Sequence, residues 1–230
     1  MLHIHIVLFQ LSNMNEETPQ IIQSTFTGAF ELNKWILETI RPYIKAPSIE
    51  INSGNGSLTT LLAHEGIRLH LTDPHKSNRD RLRQTFLGVE HIRFVSAIDS
   101  ERADFEAIYP RILNAFHTVL ALNVLEYGYV NKQMLINLQK IVTSDGNLIF
   151  IAPAYTAFYN QLEQDPDDSR HYNRKWLKSL LSDRFDILNV QYMSLNPSPE
   201  TNFGNQLGLS VLTVARKKQE KPLWLAPGRV

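Results

Sequence analysis

No cysteine occurs among the 230 residues, which removes disulfides, thiolate nucleophiles and cysteine metal sites together. Net charge is also missing: 23 basic and 23 acidic residues cancel, so no global field gathers nucleic acid or an anionic membrane. A nucleic-acid partner is not expected. The sequence has no apolar run of membrane-spanning length, so no membrane span is expected either. Its first residues lack the basic start and small-residue cleavage site of a signal peptide, and Met14 could serve as a start in place of Met1. These absences fit a reducing compartment and predict a cytoplasmic protein. What is present suffices for a full core: 43% hydrophobic residues with 10 Gly and 11 Pro, at a length that suits one α/β domain. The expected layout is a single domain over residues 1–230, with an N-terminal extension at 1–25, a core at 26–216 and a tail at 217–230.

One stretch, Ser48-Ile-Glu-Ile-Asn-Ser-Gly-Asn-Gly-Ser-Leu-Thr59, organises the rest. An apolar-alternating run ends in an acid and a small-residue turn, after which Leu58, Leu61 and Leu62 recur at helical spacing. The reading is strand, Gly turn, helix. Gly54 and Gly56 lack a Cβ, so the backbone can take positive φ and lie against a ligand, while the new helix offers unpaired N–H groups to an anion. A plain strand-to-helix loop would look the same. A dinucleotide fingerprint wants glycine at its first, third and sixth positions; counted from Asn52 the chain offers Asn, Gly and Ser. That spacing disfavours an NAD-dependent oxidoreductase. Asn52 is among the few residue types that visit the left-handed region at modest cost, so the turn tolerates it.

Strand signals recur on either side. Residues 67–72 alternate and end at Asp73-Pro74; residues 91–95 lead to Ile98-Asp99; residues 117–122 form a nearly unbroken apolar run ending at Asn123; residues 147–151, 185–193 and 207–216 complete the set. Helical spacing covers residues 30–43, with Pro42 closing the run, and residues 101–113 and 130–142. This order predicts a Rossmann-like α/β fold, in which ligands bind at the carboxyl ends of the strands, so Asn123, Asp73 and the Gly turn should converge. Asp73 stands where an acid can accept both ribose hydroxyls of a nucleotide, although Asp-Pro also begins turns and helices. Asp99 has two readings as well, a base-binding acid or a helix cap. Arg79, Arg81 and Arg83 read as a solvated face, and Trp35 and Tyr43 as core.

The pattern Glu50-x-x-x-Gly54-x-Gly56, with Asn52 in place of the usual first Gly, resembles motif I of class I S-adenosylmethionine (SAM)-dependent methyltransferases. The block Leu122-Asn-Val-Leu-Glu-Tyr127 and the later run Asp145-Gly-Asn-Leu-Ile-Phe-Ile-Ala-Pro153 are similar to a subgroup that acts mostly on small molecules, and the resemblance covers roughly residues 30–192. It implies a mostly parallel seven-stranded sheet with an antiparallel edge hairpin. It implies SAM as cofactor, held by Glu50, Asn52, Gly54, Gly56, Asp73, Ile98, Asp99 and Asn123, with Asp73 on the ribose and Ile98 and Asp99 at the adenine. The implied activity is methyl transfer to a small organic acceptor. The chain departs from the subgroup at His117, Tyr127, Tyr155 and residues 167–171, near the acceptor side. Those departures keep open an alternative, a methyltransferase-like SAM-binding or scaffold protein without the reaction.

Methyl transfer can rest on placing the acceptor in line with the activated methyl, without a covalent nucleophile. If an oxygen acceptor needs a general base, His171 and Tyr155 are the candidates by position, each with a packing or loop role as its alternative. Residues 155–172 mix aromatic and acidic side chains directly after the fifth strand, and are expected to lie over the pocket as a lid; an insertion packed on the sheet edge is the alternative. His3 and His5 would share a strand face, but no third ligand lies within reach, so no metal is expected. Arg216, Lys217 and Lys218 read as a solvated tail, with Trp224 docking back on the surface.

Overall fold

Strands buried on both faces need apolar residues throughout, whereas half-exposed strands alternate. The central strands here are almost wholly buried, carrying Ser48, Glu50 and Thr118 among their apolar residues, and they set the architecture. The structure, a computed structural model, describes residues 20–122, 132–153, 179, 181–193 and 210–219. Its strands are β1 (Ser48–Glu50), β2 (Leu69–Thr72), β3 (Ile92–Ser96), β4 (Phe116–Ala121), β5 (Val142–Pro153), β6 (Phe185–Met193) and β7 (Ser210–Lys217). They form one seven-stranded sheet in the order β3-β2-β1-β4-β5-β7-β6. Neighbours from β3 to β5 pair in parallel, and β7 runs antiparallel to both β5 and β6. The antiparallel edge hairpin is therefore present, with β7 inserted between β5 and β6.

Helices cover both faces. On one side α1 (Gln20–Ile40), α2 (Ser57–His64) and α3 (Lys76–Thr85) bury Ile36, Ile40, Leu58, Leu62 and Leu82 against Leu69, Leu71, Leu120 and Ile149 of the strands. On the other side α4 (Phe105–Ile108) and α5 (Lys132–Ile141) lie over Ile49, Val119, Leu148 and Phe150. Met134, Leu135, Leu138 and Ile141 make α5 amphipathic at helical spacing, and all four are buried. Trp35 and Tyr43 are partly buried against the first of these cores, so their packing role stands.

Several elements differ from the sequence expectation. The helix expected at residues 101–113 is reduced to the short α4 and a 3-10 turn at Pro110–Ile112, because Pro110 cannot donate to a continuing helix. The helix expected from residue 30 begins at Gln20, and its regular part ends at Ile40, before a 3-10 turn that contains Pro42. The fifth strand starts earlier, at Val142, and bulges: Phe116 pairs with Val142 but Thr118 with Asn147. Asp145 takes φ 61° in this bulge, and a Cβ on Gly146 would lie 2.6 Å from Val142 Cγ1, so glycine is required there. Lys217 and Lys218 are not a purely solvated tail. Lys217 closes β7 and its Nζ donates to Val142 O at 2.8 Å, while Lys218 Nζ donates to Ser182 O at 2.5 Å.

Candidate functional site

The strand order reverses between β1 and β4, which places the topological switch, and hence the expected ligand crevice, at the carboxyl ends of these two strands. The Gly turn leaves β1 at this point. Ile51 N–H donates to Leu120 O of β4 at 2.7 Å, and Ser53 N–H to Thr72 O of β2 at 2.8 Å, so the turn is tied to both neighbouring strands. Asn52 takes φ 56°, Gly54 φ 57° and Gly56 φ 80°. Asn52 thus occupies the left-handed region that the missing first glycine would otherwise supply. Gly56 precedes α2 and offers no side-chain cap; Asn55 Oδ1 accepts Ser57 N–H at 3.1 Å in its place.

The bare α-carbon of Gly56 faces the protein itself. A Cβ there would lie 2.9 Å from Phe86 Cε2 and 3.0 Å from Leu82 Cδ2, so close packing of the turn against α3 demands the glycine as strongly as its φ does. This packing constraint was invisible in the sequence, where the glycine read as room for a ligand.

Two acids flank the turn. Glu50, at the end of β1, is fully buried. Thr59 Oγ1 donates to its Oε2 at 2.6 Å, whereas Oε1 has no hydrogen-bond partner among the described residues. Burial pushes the Glu50 carboxyl up to about 7, against the opposing pull of the Thr59 and Ser53 hydroxyls. The acid therefore titrates near neutrality, well above the ordinary carboxylate range. Thr59 was not singled out in the sequence, although a hydroxyl in the first turn of the helix after a strand-end acid is a readable signal.

Asp73, at the end of β2, has 3% of its side chain exposed. Gly54 N–H donates to Oδ2 at 3.0 Å; His75 N–H and Asn78 Nδ2 donate to Oδ1 at 2.9 and 3.1 Å. The carboxylate therefore ties the Gly turn to the start of α3. Arg81 and Arg83 lie on an exposed face as expected, with Arg79 half-buried, but Arg79 and Arg83 also act as anchors. Arg79 Nη1 donates to Asp73 O and Pro74 O, and Arg83 Nη2 to Val95 O. Their long stems reach carbonyls of the loop after β2 and of β3, and helical spacing alone does not reveal that reach.

Ile98, beyond β3, is 3% exposed and joins the core that contains Phe105. Asp99 is exposed; its Oδ1 accepts Glu101 N–H at 3.0 Å and its own N–H donates to Tyr109 Oη at 3.1 Å. It closes a local turn rather than capping α4, whose first residue comes later. Asn137 of α5 is fully buried and donates to Ser100 O and Arg102 O at 2.9 and 2.8 Å, fixing the loop that carries Asp99. Glu50, Asn52, Gly54, Gly56 and Asp73 are thus gathered around one turn, with Ile98 and Asp99 following the next strand. Asn123, Tyr127, Tyr155, His171 and the expected lid at residues 155–172 lie outside the described residues, as do His3 and His5. Among the described residues no group of three or more His, Asp or Glu is arranged to hold a metal, and no helix is long and apolar enough to cross a membrane.

No protein-family model matches the chain, and no curated protein matches it in sequence. Solved structures do match its fold. A magnesium protoporphyrin IX methyltransferase from Synechocystis PCC 6803, with bound S-adenosylhomocysteine (SAH), is similar at a TM-score of 0.62 and 15% identity, over 91% of this chain and 93% of that one. A SAM-dependent methyltransferase from Methanosarcina mazei is similar at 0.58 and 15%, over 79% and 98%. The CurJ carbon methyltransferase is similar at 0.59 and 16%, over 83% of this chain but 54% of that one, so the chain spans about half its length. With the strand order, these likenesses establish the class I methyltransferase fold.

Proposed function

We propose that the protein binds SAM at the Gly turn between β1 and α2 and transfers its methyl group to a small organic acceptor. The observation that carries this reading is the meeting of the left-handed Asn52-x-Gly54-x-Gly56 turn with the Asp73 carboxylate at the topological switch of the sheet. The fold is shared with structures described as SAM-dependent methyltransferases, one of them holding SAH. In this reading Glu50 supports the turn from below through Thr59, Asp73 serves the ribose, and Asp99 on its Asn137-braced loop serves the adenine amine. Asn123, two residues beyond β4 in sequence, is a further proposed cofactor residue, and His171 and Tyr155 are the proposed acceptor-side groups. SAM itself supplies the activated methyl. The chain's part is to hold cofactor and acceptor in line, an arrangement worth about 7–11 kcal/mol of barrier.

The departures from the subgroup at His117, Tyr127, Tyr155 and residues 167–171 favour a second reading, a SAM-binding or scaffold protein that has lost the reaction. Incubation with methyl-labelled SAM and fractionated small molecules separates them. Label in a low-mass product supports the enzyme. Saturable SAH binding with no transfer to any fraction supports the scaffold, and label recovered in nucleic acid contradicts the small-molecule acceptor.

A further inference from the structure

We propose that Asn78, in the first turn of α3, is a ribose-recognition residue that shares the cofactor diol with Asp73. The inference deepens the SAM reading and rests on it. A carboxylate offers about four lone-pair sites. On Asp73 Oδ1, two are taken by His75 N–H and Asn78 Nδ2, with His75 Nδ1 also 3.3 Å away; on Oδ2, one is taken by Gly54 N–H. One site on Oδ2 remains. A ribose brings two hydroxyl donors, so Asp73 as it is held here can accept one, and the other requires a neighbouring acceptor.

Asn78 supplies it. An ionised carboxylate accepts and cannot donate, so the Asn78 carboxamide must turn Nδ2 towards Asp73. Its Oδ1 then faces away, and among the described residues nothing donates to it. The exposures agree. The Asp73 side chain is 3% exposed, whereas Asn78 and Gly54 are partly open to solvent. Asn78 is therefore the more open member of the pair, and the carboxylate fixes its orientation while keeping one Oδ2 site for the other hydroxyl.

The test is calorimetric titration of the wild type, Asn78→Ala and Asn78→Ser with SAH and with its 2′-deoxy and 3′-deoxy analogues, with thermal unfolding recorded for each protein. Loss of one neutral hydrogen bond should weaken SAH by about 3- to 12-fold in both variants. Against one of the deoxy analogues the variants should bind as well as the wild type, because the hydroxyl that Asn78 receives is already gone. An equal loss against all three ligands would reduce Asn78 to a structural support of Asp73. A gain in affinity would make it a competitor for the carboxylate, which also overturns the proposal. Failure of the wild type to bind SAH at all would instead remove the SAM reading, and shows before any variant is made.

Discussion

Replacing Glu50 with glutamine should stabilise the protein at alkaline pH and change little in acid. The Glu50 carboxyl moves from an ordinary value of 4.5 to about 7, with desolvation the largest cause. Because the folded-state value is raised, the native protein keeps a proton that the unfolded chain releases between these limits, so stability falls as pH rises from 4.5 to about 7 and then levels off. At about 1.36 kcal/mol per pH unit, the burden above pH 7 is about 3 kcal/mol. Glutamine resembles the protonated acid in shape and neutrality, and can still accept the Thr59 hydroxyl. Urea unfolding of wild type and Glu50→Gln should therefore give a stability difference near its minimum at pH 4.5, growing to about 3 kcal/mol in favour of the variant at pH 8. Other titrating groups cancel in the difference. A difference that stays flat across this range, or favours the wild type more as pH rises, would refute the buried-acid account.

Other perturbations probe the same framework. Gly56→Ala should destabilise by about 2–5 kcal/mol in denaturant unfolding, because left-handed strain adds to the collision with Phe86 and Leu82; a cost under about 1 kcal/mol would show that α3 is loosely held. Thr118→Val removes the buried hydroxyl that accepts Lys45 N–H at 2.7 Å and donates to Lys45 O at 3.0 Å, and should cost about 1–3 kcal/mol by the same assay. Burial lowers the His70 value, so the unfolded chain takes a proton first and stability should fall as pH drops below the ordinary 6.5; His70→Gln should remove that acid sensitivity, seen as a flatter melting profile below pH 6.5.

The sheet was legible because its strands state their burial directly. The run from Thr118 to Leu122 is apolar enough for a central parallel strand, and residues 185–193 coincide with β6. The turn was legible too, since Asn52 has the chemistry for positive φ and takes it. What escaped was reach rather than pattern. Arg79 reaches back to carbonyls of the loop before α3, Arg83 extends to Val95 O on β3, and Asn137 grips a loop far away in sequence; periodicity describes the face a residue occupies, not the group its side chain finds. Gly56 shows the same limit. The sequence marks a glycine, and tertiary packing decides whether the vacant Cβ position admits a ligand or Phe86.

The central claim is that the Gly turn and Asp73 form a SAM site, and calorimetric titration with SAH of wild type and Asp73→Ala tests it most directly. The account predicts saturable binding to the wild type, little or none with NAD, and a loss of about 1.5–3 kcal/mol, or about 10- to 150-fold, in an Asp73→Ala protein whose circular dichroism is unchanged. Unaltered SAH affinity in that folded variant, or NAD binding as tightly as SAH, would contradict it.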